Sequence, residues 1–315
     1  MYSFSGIFWI STWFILNISL TILNKYIMVF NSFPFPLTIS LSHMIITSIL
    51  SLLSFNLITK EKIKPEFSQE KLMKLFLMST LFLSSISLGN TSLKYVSVSF
   101  NQVIRATTPA ITLFLSVIIL KKKFTPSHYR SVFIVIIGVI LSSFTEFDFH
   151  WIGFLLTLFV SFLSSLKSII TAKLLWDPNV GFHPLYFLFT ISFFASIQLF
   201  IIIFLTGEAK LVFIHFLNVH NPFQIVFSLL LSSLIAFLLN FSNFMSTKTT
   251  SPLTVNIFGN LKQVFTIILS VLIFENKISF LNAFGSFCAI LGCFWYSLIG
   301  KLNEKKLPTV EMKNY

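Results

Sequence analysis

Residues 251–274 read SPLTVNIFGNLKQVFTIILSVLIF, a run apolar enough to live in a bilayer, with a lysine, Lys262, at its middle. A cation at the centre of a membrane helix costs about 2.5–3.5 kcal/mol on insertion scales, so such residues mark sites rather than filler. Arg105, Lys167 and Lys25 hold comparable positions in other apolar runs, and none of them has an acidic residue within a helical turn or two. Several intramembrane cations and almost no intramembrane carboxylates make a receptacle for an anion.

Working outward, the whole chain has the composition of a membrane protein. Of 315 residues, 55% are hydrophobic and only 10% charged, where soluble domains carry about 25% charged residues. The net charge of +12 does not indicate nucleic acid, because the basic residues are scattered at segment ends instead of gathering on one soluble face. Cys288 and Cys293 lie five positions apart in one apolar segment, a spacing that favours neither a bridge nor a metal site, and they read as packing residues. The first thirty residues lack a basic leader and a small-residue cleavage site, so they read as a first spanning helix. Nothing before them has the Arg/Ser-rich character of a transit peptide.

Apolar runs near the roughly 20 residues needed to cross a bilayer fall at about ten places: 5–29, 36–59, 73–90, 97–120, 128–145, 150–172, 183–206, 223–246, 252–274 and 279–300. The expected fold is therefore all-α and integral to the membrane. An even number of spans puts both ends on one side. Loops 60–74 and 121–130 and the C-terminal tail are rich in lysine, while loops 31–35, 145–150 and 207–222 are neutral or acidic. The positive-inside rule places both termini in the cytosol.

The halves echo each other. A shift of 154 positions carries Lys94 onto Lys248, Ser97 onto Ser251, Thr112 onto Thr266, Leu115-Ser116-Val117 onto Leu269-Ser270-Val271, and Gly138 onto Gly292. Five spans per half force the copies into opposite orientations, which is the inverted-repeat plan of secondary transporters with a site between the repeats near the midplane. The expected division is a first five-helix repeat over 1–148, a second over 149–300 and a cytosolic tail over 301–315.

On the fourth span Asn101, Arg105 and Thr108 share a helical face. On the ninth, Gly259, Lys262 and Thr266 do the same, with Asn256, Asn260 and Gln263 on the adjoining stripe. Arginine can grip phosphate oxygens in a fork, and lysine acts as a point charge. Arg105 and Lys262 lie too deep to reach the headgroups easily, whereas Lys25 is near enough to a span end for snorkelling to compete with a site role. Lys167 sits on a serine-rich face expected to turn inward. Lys94 and Lys248 read as interfacial, and His43 as a hydrogen-bonded structural residue. Tyr186, Asn240 and Asn243 complete the intramembrane polar set, with helix–helix hydrogen bonding as the competing reading for the asparagines.

The segments NKYIMVFNSFPFPLTISLSH, LKYVSVSFNQVIRATTPAIT and TKTTSPLTVNIFGNLKQVFTIILSVLIFENKISF resemble the triose-phosphate/nucleotide-sugar translocator family of the drug/metabolite transporters, over essentially the whole chain. The resemblance implies a ten-helix inverted-repeat exchanger. Its plastid sugar-phosphate members carry a Lys-Arg pair that falls on Lys262 and Gln263, so the lysine is kept and the arginine is not. Their fourth-helix lysine falls on Arg105. The glycine-started ligand motif of nucleotide-sugar members falls on 259–263, and their seventh-helix tyrosine motif has only Tyr186 as a nearby counterpart.

The local match is closer to the endomembrane branch, which implies exchange of a nucleotide sugar for a nucleoside monophosphate across a Golgi or ER membrane. The C-terminal MKNY lacks paired retrieval lysines, which leans towards Golgi. The competing expectations are a sugar-phosphate/phosphate exchanger of a plastid-type membrane, a membrane transferase using His43 as base, and a channel. No acidic pair or His–Asp constellation supports chemistry, so neither enzyme activity nor a cofactor or metal is expected. The implied partners are a phosphorylated substrate, its counter-anion and the bilayer, with a homodimer left open.

Overall fold

The computed structural model describes residues 4–58, 69–120, 124–144, 149–176, 183–219, 221–249, 252–275 and 279–304. Among them are twelve helices and no strand: α1 (Phe4–Val29), α2 (Pro36–Ile58), α3 (Gln69–Tyr95), α4 (Val98–Arg105), α5 (Thr108–Leu120), α6 (Pro126–Phe144), α7 (Trp151–Trp176), α8 (Pro184–Leu205), α9 (Glu208–Asn218), α10 (Pro222–Thr249), α11 (Pro252–Phe274) and α12 (Phe280–Glu304). Seven of them, α1, α2, α3, α6, α7, α8 and α10, are long and apolar enough to cross a membrane, and α11 and α12 contain shorter apolar stretches, Leu261–Phe274 and Phe280–Tyr296. Each of the ten expected segments is helical. Of the basic loops, residues 60–68 and 121–123 lie outside the described residues, while 69–74 and 126–130 belong to α3 and α6.

Two features depart from expectation. The fourth segment is broken between α4 and α5, and the cause is Pro109. Its ring has no N–H to donate and would clash with the carbonyl four residues back, that of Arg105. The carbonyls released by the break all find donors. Ile104 O accepts from the Thr107 N–H at 3.0 Å and its hydroxyl at 2.7 Å, Arg105 O from the Thr108 hydroxyl at 2.6 Å, and Ala106 O from the Cys293 thiol of α12 at 3.0 Å. Cys293 thus packs, as its apolar setting implies, and also satisfies a helix end.

The second departure is α9, which occupies a segment expected to be a loop. Its Glu208 carboxylate accepts from both the backbone N–H and the hydroxyl of Thr38, each at 2.8 Å. An anion there meets the orphan donors of the first turn of α2 and the positive end of its dipole.

In the bundle α6 packs along α12, α1 along α10, α2 along α8 and α3 along α7; α2 also meets α10, and α3 meets α8. The paired half-helices α4 and α5 lean on α7, while α11 lies against α1, α4 and α12. The α6–α12 contact is the most extensive of these, and it is built on glycine. A Cβ on Gly285 would lie 2.6 Å from Ser142 N and 2.7 Å from Gly138 O, and one on Gly292 would lie 2.6 Å from a methyl of Val135 and 2.9 Å from Ser131 O. Small residues let backbones approach, the main source of packing energy where lipid is as apolar as the side chains.

One end of the bundle, where α1 and α3 finish and α2 begins, is tied by polar contacts. Asn24 donates to Asn90 Oδ1 and Asn90 to the Ser40 hydroxyl, both at 2.9 Å. Asn31 donates to the Ser228 hydroxyl of α10 at 2.9 Å.

Candidate functional site

The cations on α4, α7 and α11 face a common space. A central cavity of about 210 Å3 opens between α1, α2, α3, α4, α7, α10 and α11, and Arg105, Lys167 and Lys262 all line it. No carboxylate lines it among the described residues. Lining one cavity, the three cations present their charge to a common space.

Each cation is held by something other than an acid. Arg105 lies in the last turn of α4, where the negative end of the helix dipole favours a cation, and its Nε donates to Asn101 Oδ1 at 2.9 Å. Lys262 donates to Asn17 Oδ1 of α1 at 2.9 Å, with its ammonium 5.9 Å from the centre of the Trp13 ring. Lys167 stands 5.2 Å from the centre of the Phe82 ring. Aromatic faces stabilise a partly desolvated cation without neutralising it. The positive charge therefore remains available to a ligand.

The other site candidates divide. Asn101 and Asn240 line the cavity; Asn240 donates to Ala236 O in its own helix at 2.8 Å. Asn243 lines it as well. Thr108 does not reach it: its hydroxyl closes the break in the helix. Lys25 is also placed elsewhere, its ammonium donating to Leu93 O at 2.6 Å and Val96 O at 3.2 Å. It caps the C-terminal end of α3, a favoured place for a lysine.

Gln263 is buried off the cavity wall, and among the described residues its Oε1 meets no hydrogen-bond donor. Gly259 faces Trp13, and a Cβ there would sit at an ordinary 3.7 Å from the indole, so no close helix approach depends on it. Tyr186 packs between Phe55 and Phe189, away from the cavity. The side chains of Asn256 and Asn260 lie outside the described residues. His43 reaches the wall, but its Nε2 is 3.1 Å from the Ser232 hydroxyl of α10, as a structural histidine would be.

The cavity also has residues that the cation-led reading passes over. Trp13, Asn17, Leu20, Thr21 and Asn24 form one stripe of α1 on the wall. Their spacing of three and four is a legible signal in the first span. Gly89 and Gln102 complete the region around Arg105.

Comparison with known proteins agrees with this architecture. A model of the Triose-phosphate Transporter family matches residues 6–297. A "probable sugar phosphate/phosphate translocator" of Arabidopsis thaliana is 31% identical, over 94% of this chain and 95% of its own length. UDP-galactose transporter 1 of the same plant is 31% identical, over 97% of this chain and 90% of its own. A protein of known crystal structure shares the fold at a TM-score of 0.54, with 12% identity over 93% of this chain and 99% of the other. With a cation-lined central cavity among membrane-crossing helices and these matches along its length, the chain belongs to the triose-phosphate transporter family and is a multi-pass membrane transporter, not an enzyme.

Proposed function

We propose that the protein is a secondary-active antiporter of phosphorylated sugars, exchanging a nucleotide sugar for a nucleoside monophosphate across a Golgi or ER membrane. The observation that carries this reading is the convergence of Arg105, Lys167 and Lys262 on one cavity with no lining carboxylate among the described residues. An empty, occluded cavity would hold three mutually repelling charges away from water, which disfavours return of the unloaded carrier. Exchange, rather than one-way transport, follows.

The ten-span, two-repeat reading has its own support. In it α4 and α5 are halves of one span, α9 is an appendage, and the repeats cover 1–148 and 149–300. Exchanging the repeats turns the α1–α10 contact into α7–α3, and α2–α10 into α8–α3; α6–α12 and α2–α8 map onto themselves, and every one of these contacts exists. Individual residues follow the same rule. The shift of 154 takes Ser131, Val135 and Gly138 onto Gly285, Ala289 and Gly292. Gly138 abuts Gly285 and Ala289, and Gly292 abuts Ser131 and Val135.

A second reading keeps the mechanism and changes the cargo. Three clustered cations suit the compact double charge of a sugar phosphate, and one relative is named for that activity. Proteoliposomes separate the two. Vesicles loaded with uridine monophosphate should take up UDP-galactose or another nucleotide sugar, and empty vesicles should not. Brisk triose-phosphate/phosphate exchange with every nucleotide ignored would establish the second reading instead, and uptake independent of internal anion would remove exchange altogether.

A further inference from the structure

The hydrogen bonds around Arg105 fix more than its position. The Ser92 hydroxyl donates to Gly89 O at 2.8 Å, and the Thr157 hydroxyl to Gly153 O at 2.8 Å. Both oxygens are thereby left as acceptors, and both accept from Asn101 Nδ2, at 2.8 Å and 3.1 Å. With its NH2 group held between two acceptors, the Asn101 amide can turn only its oxygen towards Arg105. That oxygen takes the Nε proton. The side-on edge of the guanidinium is occupied, and the fork at the tip, Nη1 with Nη2, is the edge left for a bidentate ligand.

Gly89 completes the arrangement from the opposite helix. A Cβ on Gly89 would lie 2.9 Å from Arg105 Nη2, and the next nearest atom is a methyl of Val160 at an ordinary 3.7 Å. No backbone obstructs that Cβ. The atom that would have to yield is the end of a flexible side chain, so the missing Cβ is required by the guanidinium and not by helix packing. Gly89 and Asn101 both line the cavity.

We propose that Asn101 and Gly89 are positioning residues that aim the tip of Arg105 at a phosphate group, Asn101 by occupying Nε and Gly89 by leaving the notch in which Nη2 sits. The proposal rests on the anion-exchange reading, and it removes Asn101 from the set of direct substrate contacts. It makes Gly89 the position that sets how deeply a phosphate seats against α3 and α4.

The test is a double-mutant cycle between Gly89→Ala and Arg105→Lys, read with inorganic phosphate and uridine monophosphate as probes of binding and of exchange. Gly89→Ala should not lower the ligand-free melting temperature, since alanine is favoured over glycine inside a helix. It should raise KM on the order of ten- to a hundredfold, the scale expected when a binding group is misplaced by about 1 Å, and change the maximal rate much less. In the Arg105→Lys background, which has no Nη2 to displace, the same substitution should cost much less. Asn101→Ala should give the same KM-dominated loss, and it carries the test by itself if Arg105→Lys binds neither probe.

An unchanged KM in both Gly89→Ala and Asn101→Ala would overturn the proposal. So would an equal penalty for Gly89→Ala in both backgrounds, which would mark a general packing defect. Wild-type protein that bound neither probe would sink the anion-exchange reading and this proposal together. Normal wild-type binding with both Gly89→Ala and Asn101→Ala indifferent would sink the proposal alone.

Discussion

Lys262 and Arg105 illustrate how a membrane protein keeps a charge available. Each is bonded to an asparagine oxygen, Asn17 for the lysine and Asn101 for the arginine. A neutral amide orients a cation without cancelling it, where a carboxylate would do both. Lys262→Ala should therefore abolish measurable exchange, a loss of a hundredfold or more on the order expected for removing a group that positions the ligand. The protein should stay folded, because the insertion cost of the lysine disappears with it. Lys262→Arg should also transport poorly, since a planar fork does not replace a point charge between Asn17 and Trp13. Transport assays beside size-exclusion profiles of both variants check this; wild-type rates in Lys262→Ala would make the lysine structural. The cations are legible in the sequence because their cost in lipid singles them out. Their partners are not, because Asn17 lies 245 positions from Lys262 and only the fold joins them. Lys25 shows the converse: a cation at a suitable depth that spends its donors on the end of α3.

At the scale of elements, the apolar runs locate the helices to within a few residues, since lipid demands that every backbone group be satisfied inside its own helix. The break between α4 and α5 is foreshadowed by Pro109. What periodicity does not convey is how the break is repaired, because Thr107 and Cys293 supply donors that an apolar reading counts as filler, and Thr108 supplies one that the cation-led reading assigns to the site. Helix α9 escapes notice for a related reason. Its work is done by Glu208 on the first turn of α2, a contact spanning 170 positions. The glycines of α6 and α12 give this scale its own prediction. At Gly285 a new methyl meets backbone atoms at 2.6 and 2.7 Å, and overpacking of this kind costs about 1–3 kcal/mol. Gly285→Ala should lower the melting temperature in detergent, and Gly285→Leu should lower it further. Unaltered melting for both would show that α6 and α12 can part without penalty.

For the whole molecule, the repeat and the loop charges make one topological claim. By the positive-inside rule the lysines at 121–123 and the C-terminal tail should face the same side, the cytosol. Single cysteines introduced at Lys122 and near the C-terminus should label together with an impermeant thiol reagent added to one face of sealed vesicles. Labelling from opposite faces would remove the inverted repeat along with the orientation. At this scale the sequence carries the all-helical, multi-pass character of the fold through its apolar runs, and it motivates the two-repeat proposal through the shift of 154 positions. It does not carry which helix faces which, because Ser, Leu and Ile recur on every surface and only packing selects among them.

The polar ties at the end where α1 and α3 finish also bear on time. For that mouth to admit solute, Asn24 must leave Asn90, Lys25 must release Leu93 and Val96, and Asn31 must part from Ser228. Water replaces each bond, so each counts for only about 1 kcal/mol net. Acting together they amount to a few kcal/mol, and every 1.4 kcal/mol on a barrier slows a step about tenfold. Under the alternating-access exchange proposed above, such a latch would be weak enough to be reversible and strong enough to slow opening at this end, so loosening any of its three asparagines or its lysine should quicken turnover if that opening sets the pace.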